Sequence, residues 1–305
     1  VLVHLNGQLL PADQARLSPF DRGFLFGDGI YEGLRACTPP AGSPRVIALQ
    51  GHIDRMNQGL ALAGIPWDAA QLAPLTSQLL HACNLQDAFV YWQVTRGTPD
   101  LSRGPSRSRV PGSPLTPTVF GYASPVPPIN WHDPTPALKR ASLQPDLRWL
   151  RGTLKSTSLL GNVLAALDAH HHHRADEALL IRDVAARKLL TEGTYTNALL
   201  VTPDAALVTP ALPTDDGPFA PLLAGVTRRL LLAIEPTIVE RPVDAHELDH
   251  AREIILIGTT TMITAVTHLD DRVLSAAPGP TARRLMTALV NAIAAGMDIN
   301  LPGQA

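Results

Sequence analysis

Apolar and polar residues alternate through VLVHLNGQLL about Asn6-Gly7, and period-two alternation around Asn-Gly predicts a β-hairpin. The spacing changes in GHIDRMNQGLALAGIP. There Ile53, Met56 and Leu60 share one helical face, Gly64 ends the helix and Pro66 prevents its continuation. A second helix is expected over about 68–83. Residues 88–95 (AFVYWQVT) are β-branched and aromatic and read as a buried strand; 119–123 reads as a short one, and 137–143 opens the second domain and leads to Lys155. Residues 148–152 read as a strand running into a turn. Beyond it Leu159, Leu160, Val163, Leu164 and Leu167 recur at helical spacing, with Ser156 or Ser158 as the cap. Residues 178–182, 197–201 and 253–258 read as strands, 189–193 and 259–261 as turns. Helices are expected over LLAGVTRRLLLAIEP and over about 281–295.

The proline-rich SPVPPINWHDPTP is stiff and extended and suits a linker. The expected organisation is an N-terminal α/β domain over 1–123, a linker over 124–136 and a C-terminal domain over 137–305. A length of 305 residues suits two domains, and 45% hydrophobic against 17% charged residues allows a large core. A formal net charge of −2, with neither half conspicuously basic, argues against nucleic acid as a partner. No apolar stretch approaches the ~20 residues that span a membrane, and the N-terminus lacks a basic region followed by an apolar run, so the expectation is a soluble, cytoplasmic protein. Cys37 and Cys83 have neither metal-ligand spacing nor a disulfide framework. His170 to His173 are consecutive and fan around a helix, which suits a solvated helix end, and no metal is expected.

Chemistry concentrates at a few places. Lys155 lies at the mouth of the apolar helix, and a lysine partly withdrawn from water there is a usable amine nucleophile. Gly23, Gly27 and Gly29 lead into a strand over 30–36 that places Tyr31, Gly33 and Arg35 on one face and Glu32 and Leu34 on the other. Gly225-Val226-Thr227 opens a helix whose N-terminus presents free N–H groups and the positive end of the dipole, a phosphate site in form. Residues 97–117 are dense in Pro, Ser, Gly and Arg and read as a surface loop.

The run LRWLRGTLKSTSLLGNVLA, followed by DEALLIRD and LLTEGTYTNALLV, resembles the class IV (fold type IV) pyridoxal-phosphate aminotransferases, the D-amino acid transaminase branch first and the branched-chain enzymes next. The resemblance extends from the Asn6-Gly7 turn to about Arg272. It implies a two-domain α/β (α+β) fold: a smaller N-terminal α/β domain and a larger C-terminal cofactor-binding domain with a β-barrel-like core. It implies pyridoxal 5′-phosphate bound as a Schiff base on Lys155, with Glu192 of the TEG step against the pyridine nitrogen, where an anion keeps the ring an electron acceptor. Arg55 of HIDR, Val226 and Thr227 of GVTR, and Thr259 are implied as phosphate ligands, and Asn197 as a structural support. Tyr31, Arg35, Arg103 and Thr260 are implied on the substrate side. In D-amino acid transaminases the long loop crosses a dimer interface and supplies an Arg and a His to the partner's substrate carboxylate; here those positions hold Leu101 and Arg103, so that pair is not intact. The implied activity is ping-pong transamination between an amino acid, such as D-alanine, and a 2-oxo acid, in a homodimer with its sites at the interface. Gly33 and Arg35 resemble the branched-chain L-amino acid enzymes. An aminodeoxychorismate lyase shares the fold, as would a non-catalytic binding protein, against which the retention of Lys155 and Glu192 argues.

Overall fold

Asn6 and Gly7 both take positive φ, 49° and 86°, the left-handed pair that a two-residue hairpin turn needs. They fold β1 (Leu2–Leu5) back on β2 (Gln8–Pro11), with Leu5 opposite Gln8. This computed structural model describes residues 1–102, 104, 107–213, 221–274 and 277–297. The chain forms two units, Val1–Pro128 with Leu154–Leu159, and Ile129–Thr153 with Leu160–Ile299. Residues 154–159, which carry Lys155, thus group with the N-terminal unit and not with the rest of 137–305, because Ser156 bridges Ile30 and Tyr31 N–H donates to the Lys155 carbonyl.

In the first unit α1 (Arg22–Phe26) is a single turn, too short to show a period, capped by the Asp21 carboxylate accepting from Gly23 N–H. There follow β3 (Gly29–Cys37), β4 (Arg45–Val46), α2 (Leu49–Ala63), α3 (Leu72–Cys83), β5 (Ala88–Thr95) and β6 (Thr118–Pro125). The sheet is antiparallel, in the order β2-β1-β6-β5-β3-β4. Leu34, Val90, Trp92 and Val94 on one sheet face pack with Met56 and Leu60 of α2 and Leu72 and Leu79 of α3 in one buried cluster. Gly64, at φ 63°, ends α2 as its position predicts.

The second unit holds β7 (Ala137–Pro145), α4 (Leu160–His173), β8 (Glu177–Val184), β9 (Arg187–Gly193), β10 (Asn197–Val201), β11 (Leu207–Pro210), α5 (Val226–Ile234), β12 (Ile238–Arg241), α6 (Glu247–His250), β13 (Glu253–Gly258), β14 (Met262–Leu269), β15 (Arg272–Val273) and α7 (Pro280–Ala294). Its sheet runs β12-β11-β10-β13-β14-β7-β8-β9, with β15 on β14, and curls so that β9 returns beside β10. The half-barrel interior is filled by Leu179, Leu190, Ala198, Leu200, Ile254 and Leu256. The mixed α/β, two-sheet architecture expected from the resemblance is the one observed.

Three local expectations are corrected. Residues 148–152 form no strand: β7 ends at Pro145, and the Asp146 carboxylate accepts from Arg148 N–H and turns the chain. Residues 189–193 belong to strand β9, not to a turn. The turn is Ala185-Ala186, both at positive φ without the glycine or asparagine that would announce it. The helix near Lys155 begins only at Leu160, and neither serine caps it, since Ser156 bridges Ile30 and the Ser158 hydroxyl donates to the Gly27 carbonyl. Its apolar stripe of Leu160, Val163, Leu164 and Leu167 is exposed, at 70, 49, 58 and 47%. Among the described residues no cluster could hold a metal, and no helix is long and apolar enough to cross a membrane.

Candidate active site

The lysine is positioned by its backbone. Tyr31 N–H donates to the Lys155 carbonyl (3.1 Å), Thr157 N–H donates to the Gly29 carbonyl (3.0 Å), and the Thr157 hydroxyl donates to the Gly27 carbonyl (2.9 Å). These bonds pin residues 155–157 to the start of β3. The Lys155 amine then lies 3.4 Å from Tyr31 Oη and 4.4 Å above the centre of its ring. The chain has three lysines, Lys139, Lys155 and Lys188. Lys139 is 3.8 Å from the Glu177 carboxylate, and Lys188 is exposed. Lys155 combines partial burial with no ion pair among the described residues, the setting that leaves an amine available for covalent chemistry.

On the opposite face of β3 Glu32 is fully buried. Arg55 on α2 donates to it from Nε (2.7 Å) and Nη2 (2.8 Å), and His52 Nδ1 lies 2.8 Å away. Burial pushes the Glu32 carboxyl up, but the Arg55 and His52 charges and hydrogen bonds outweigh it and hold it well below the usual carboxylate range. Burial lowers the His52 imidazole against the pull of Glu32. A depressed carboxyl stabilises the fold above its unfolded pKa, about 4.3, and that contribution is lost as pH falls toward the folded value. Glu32→Gln is therefore expected to cost about 3–5 kcal/mol at pH 7 and to flatten the fall in stability below about pH 4. Urea unfolding over that range checks both, and an unchanged acid limb would count against the assignment.

Arg35, on the Tyr31 face, is buried, and its Nη2 donates to the Pro127 carbonyl (3.1 Å). Arg103 lies outside the described residues. Farther along the 97–117 loop, Arg22 donates to the Ser108 and Arg109 carbonyls (2.8 and 2.6 Å) while its Nε meets Asp28 (2.8 Å), a contact also made by Arg96. The loop is anchored there, an arrangement that composition did not reveal.

The second unit holds Glu192 on β9, 5% exposed. One oxygen accepts from Arg148 Nη1 (2.7 Å), the other from Asn197 Nδ2 (3.1 Å) and Leu223 N–H (3.0 Å). Arg148 also donates through Nε and Nη2 to Asp146, which accepts in addition from Thr191 Oγ1 and pairs with Arg182 at 3.1 Å. Two buried carboxylates thus share two guanidiniums. Despite burial, Asp146 and Glu192 hold Arg148 above its ordinary range, and against its own burial the two arginines hold Asp146 below its own. Sequence reading missed Asp146 and Arg148; the signal was an Asp-x-Arg at a strand end.

Asn197 Nδ2 also donates to the Leu223 carbonyl (3.0 Å), tying Glu192 to the segment that opens α5. The fit there excludes a side chain: a Cβ on Gly225 would stand 1.9 Å from Asn197 Oδ1. Val226 and Thr227 follow as the first turn of α5, where backbone N–H groups point outward from the helix end. Thr259 and Thr260 sit in the three-residue β13–β14 loop, and Met262 closes that loop at φ 58°, a left-handed conformation that a non-glycine residue rarely takes.

An amine with no ion pair among the described residues in the first unit, and in the second a buried carboxylate accepting from arginine and a glycine-opened helix end, are the kinds of group that pyridoxal phosphate would take for its aldehyde, its ring nitrogen and its phosphate. That set, on this fold, defines a pyridoxal-phosphate enzyme. The chain belongs to the class IV aminotransferases, the profile described as "Amino-transferase class IV" matching residues 29–269. It is similar to a putative branched-chain-amino-acid aminotransferase of Methanocaldococcus jannaschii, 30% identical over 90% of this chain and 89% of that one. It is also similar to the D-alanine aminotransferase of Bacillus licheniformis, 31% identical over 95% and 96%. Among solved structures, the branched-chain aminotransferase of Thermoproteus uzoniensis with norvaline superposes with a TM-score of 0.78 at 23% identity, covering 97% of this chain and 95% of that one, a likeness of fold. The protein is a pyridoxal-phosphate-dependent aminotransferase, acting between an amino acid and a 2-oxo acid.

Proposed function

We propose that the protein is a D-amino acid transaminase in which Lys155 binds the cofactor's aldehyde carbon and Glu192 its ring nitrogen. The observation that carries the transaminase assignment is the Lys155 amine, set beside Tyr31 with no ion pair among the described residues. Bound pyridoxal phosphate supplies a ring that accepts electrons as the substrate Cα–H bond breaks. Lys155, displaced by the incoming amino group, carries the proton between the substrate Cα and the cofactor C4′. Arg148 pairs with Glu192 at 2.7 Å and so sets a guanidinium beside that carboxylate. Arg55, Val226, Thr227 and Thr259 hold the phosphate, with Glu32 fixing the plane of the Arg55 guanidinium. Tyr31, Arg35, Arg103 and Thr260 meet the substrate.

The D-preference is supported by the Bacillus licheniformis relative, which aligns along nearly the whole chain. A branched-chain L-amino acid reading is supported by Gly33 and Arg35 on β3 and by the archaeal relative. Mixing holoenzyme with one enantiomer at a time and following the cofactor's absorbance separates them. D-Alanine is expected to discharge the cofactor faster than L-leucine, and the reverse order would replace the first reading by the second. We further propose a homodimer. The exposed apolar stripe on α4, and exposed Leu147, Trp149 and Leu150 (87, 49 and 60%), support this, since exposed apolar patches mark interaction surfaces. Light scattering is expected to give twice the chain mass, and a monomeric mass at micromolar concentration would refute the dimer.

A further inference from the structure

Tyr31 is the first rung of an aromatic surface that neither the cofactor chemistry nor the apolar core uses. On β3, β5 and β6 the register sets Gly33 opposite Tyr91, Tyr91 opposite Tyr122, and Arg35 opposite Phe89, so all these residues share the Tyr31 face. Tyr31 stacks on Tyr91 with ring centres 5.6 Å apart and planes 27° apart; Tyr91 stacks on Tyr122 at 5.3 Å and 26°. Phe89 and Phe120 meet Tyr122 at 6.4 and 6.1 Å. The five rings are half-buried, and none belongs to the cluster beneath α2 and α3, which lies on the other sheet face. Phe89 leans across the bare backbone of Gly33, where a Cβ would come within 2.8 Å of its ring edge. The Tyr91 hydroxyl donates to Gln93 Oε1 (2.9 Å), and its ring lies between those of Tyr31 and Tyr122.

A continuous row of stacked rings that starts at the lysine's own tyrosine offers ring edges to another flat ring, through edge contacts that an aliphatic chain cannot reproduce. No carboxylate stands on this face of the three strands, and its one charge, Arg35, is held at Pro127. We infer that the substrate side chain is aromatic, lodged on the Tyr31–Tyr91–Tyr122 row, so that Phe89, Tyr91 and Tyr122 determine specificity. The inference rests on the transaminase reading above and names its substrate class.

Two measurements on holoenzyme test it. In the half-reaction, phenylalanine of the accepted hand is expected to exceed both leucine and alanine in kcat/KM, the last by about ten- to a hundredfold, as burial of a ring implies. Independently of catalysis, 3-phenylpropionate is expected to bind more tightly than 4-methylvalerate by calorimetry. Tyr91→Leu should bring the phenylalanine-to-leucine ratio to about one, while Tyr91→Phe should preserve it. Leucine or alanine preferred over phenylalanine, or a ratio unmoved by Tyr91→Leu, would overturn the inference. If 3-phenylpropionate binds preferentially but no amino acid discharges the cofactor, the aromatic surface stands and the transaminase reading falls.

Discussion

Lys155→Ala is expected to abolish covalent attachment of pyridoxal phosphate and to slow transamination by at least about 10²–10⁴-fold, the range that loss of a positioned proton carrier alone accounts for. The fold should scarcely notice. Among the described residues the amine's contacts are the Tyr31 ring and hydroxyl, and the backbone bonds that pin residues 155–157 to β3 involve no Lys155 side-chain atom. A shift in stability within about 0.5 kcal/mol is what such a substitution produces. Borohydride reduction followed by peptide mass spectrometry reads the attachment directly. In the wild type the adduct should fall on the peptide containing Lys155, and in the variant on none. The three-lysine composition makes this decisive, because the competitors are Lys139, engaged with Glu177, and the exposed Lys188. An adduct on either, or a variant with wild-type rates, would remove Lys155 from the chemistry.

The parts legible in the sequence were those with local causes. Asn6-Gly7 announced its hairpin because the turn needs two residues at positive φ, and Gly64 ended α2 for the same kind of reason. Strands 88–95, 197–201 and 253–258 are readable because they are rich in β-branched, aromatic and other apolar residues, the last two buried almost throughout and the first on alternate positions. Where the cause was not local the reading failed. β9 was taken for a turn because its hairpin partner turns at two alanines held left-handed by the surrounding sheet. The strand expected at 148–152 gives way to a buried charge cluster whose members come from the segment after β7 and from β8 and β9. Lys155 and Glu192 were found through resemblance alone, since spacing made one an ordinary lysine and the other an ordinary turn carboxylate. What no pattern could supply was Arg148 reaching from residue 148 to residue 192, a pairing that follows from the order β7-β8-β9 in the second sheet.

That pairing carries the other large effect. Glu192→Ala should lower the half-reaction rate by about 10²–10³-fold, the usual cost of removing one preorganised electrostatic partner, and should also cost about 3–5 kcal/mol of stability, because it leaves a buried guanidinium short of a carboxylate and strands donors at Asn197 and Leu223. Two effects in one variant do not distinguish a cofactor partner from a structural anion. The double variant Glu192→Gln with Arg148→Met does. It removes both charges at similar volume, leaves Asp146 paired with Arg182, and offers an amide oxygen to Asn197 and Leu223. Replacing a buried ion pair at both ends is often close to neutral for stability, so the urea midpoint should return most of the way to wild type. The rate should not return, since the ring nitrogen still lacks its anion. If rate and midpoint recover together, Glu192 serves the fold and the electron-accepting ring draws its counter-charge from elsewhere.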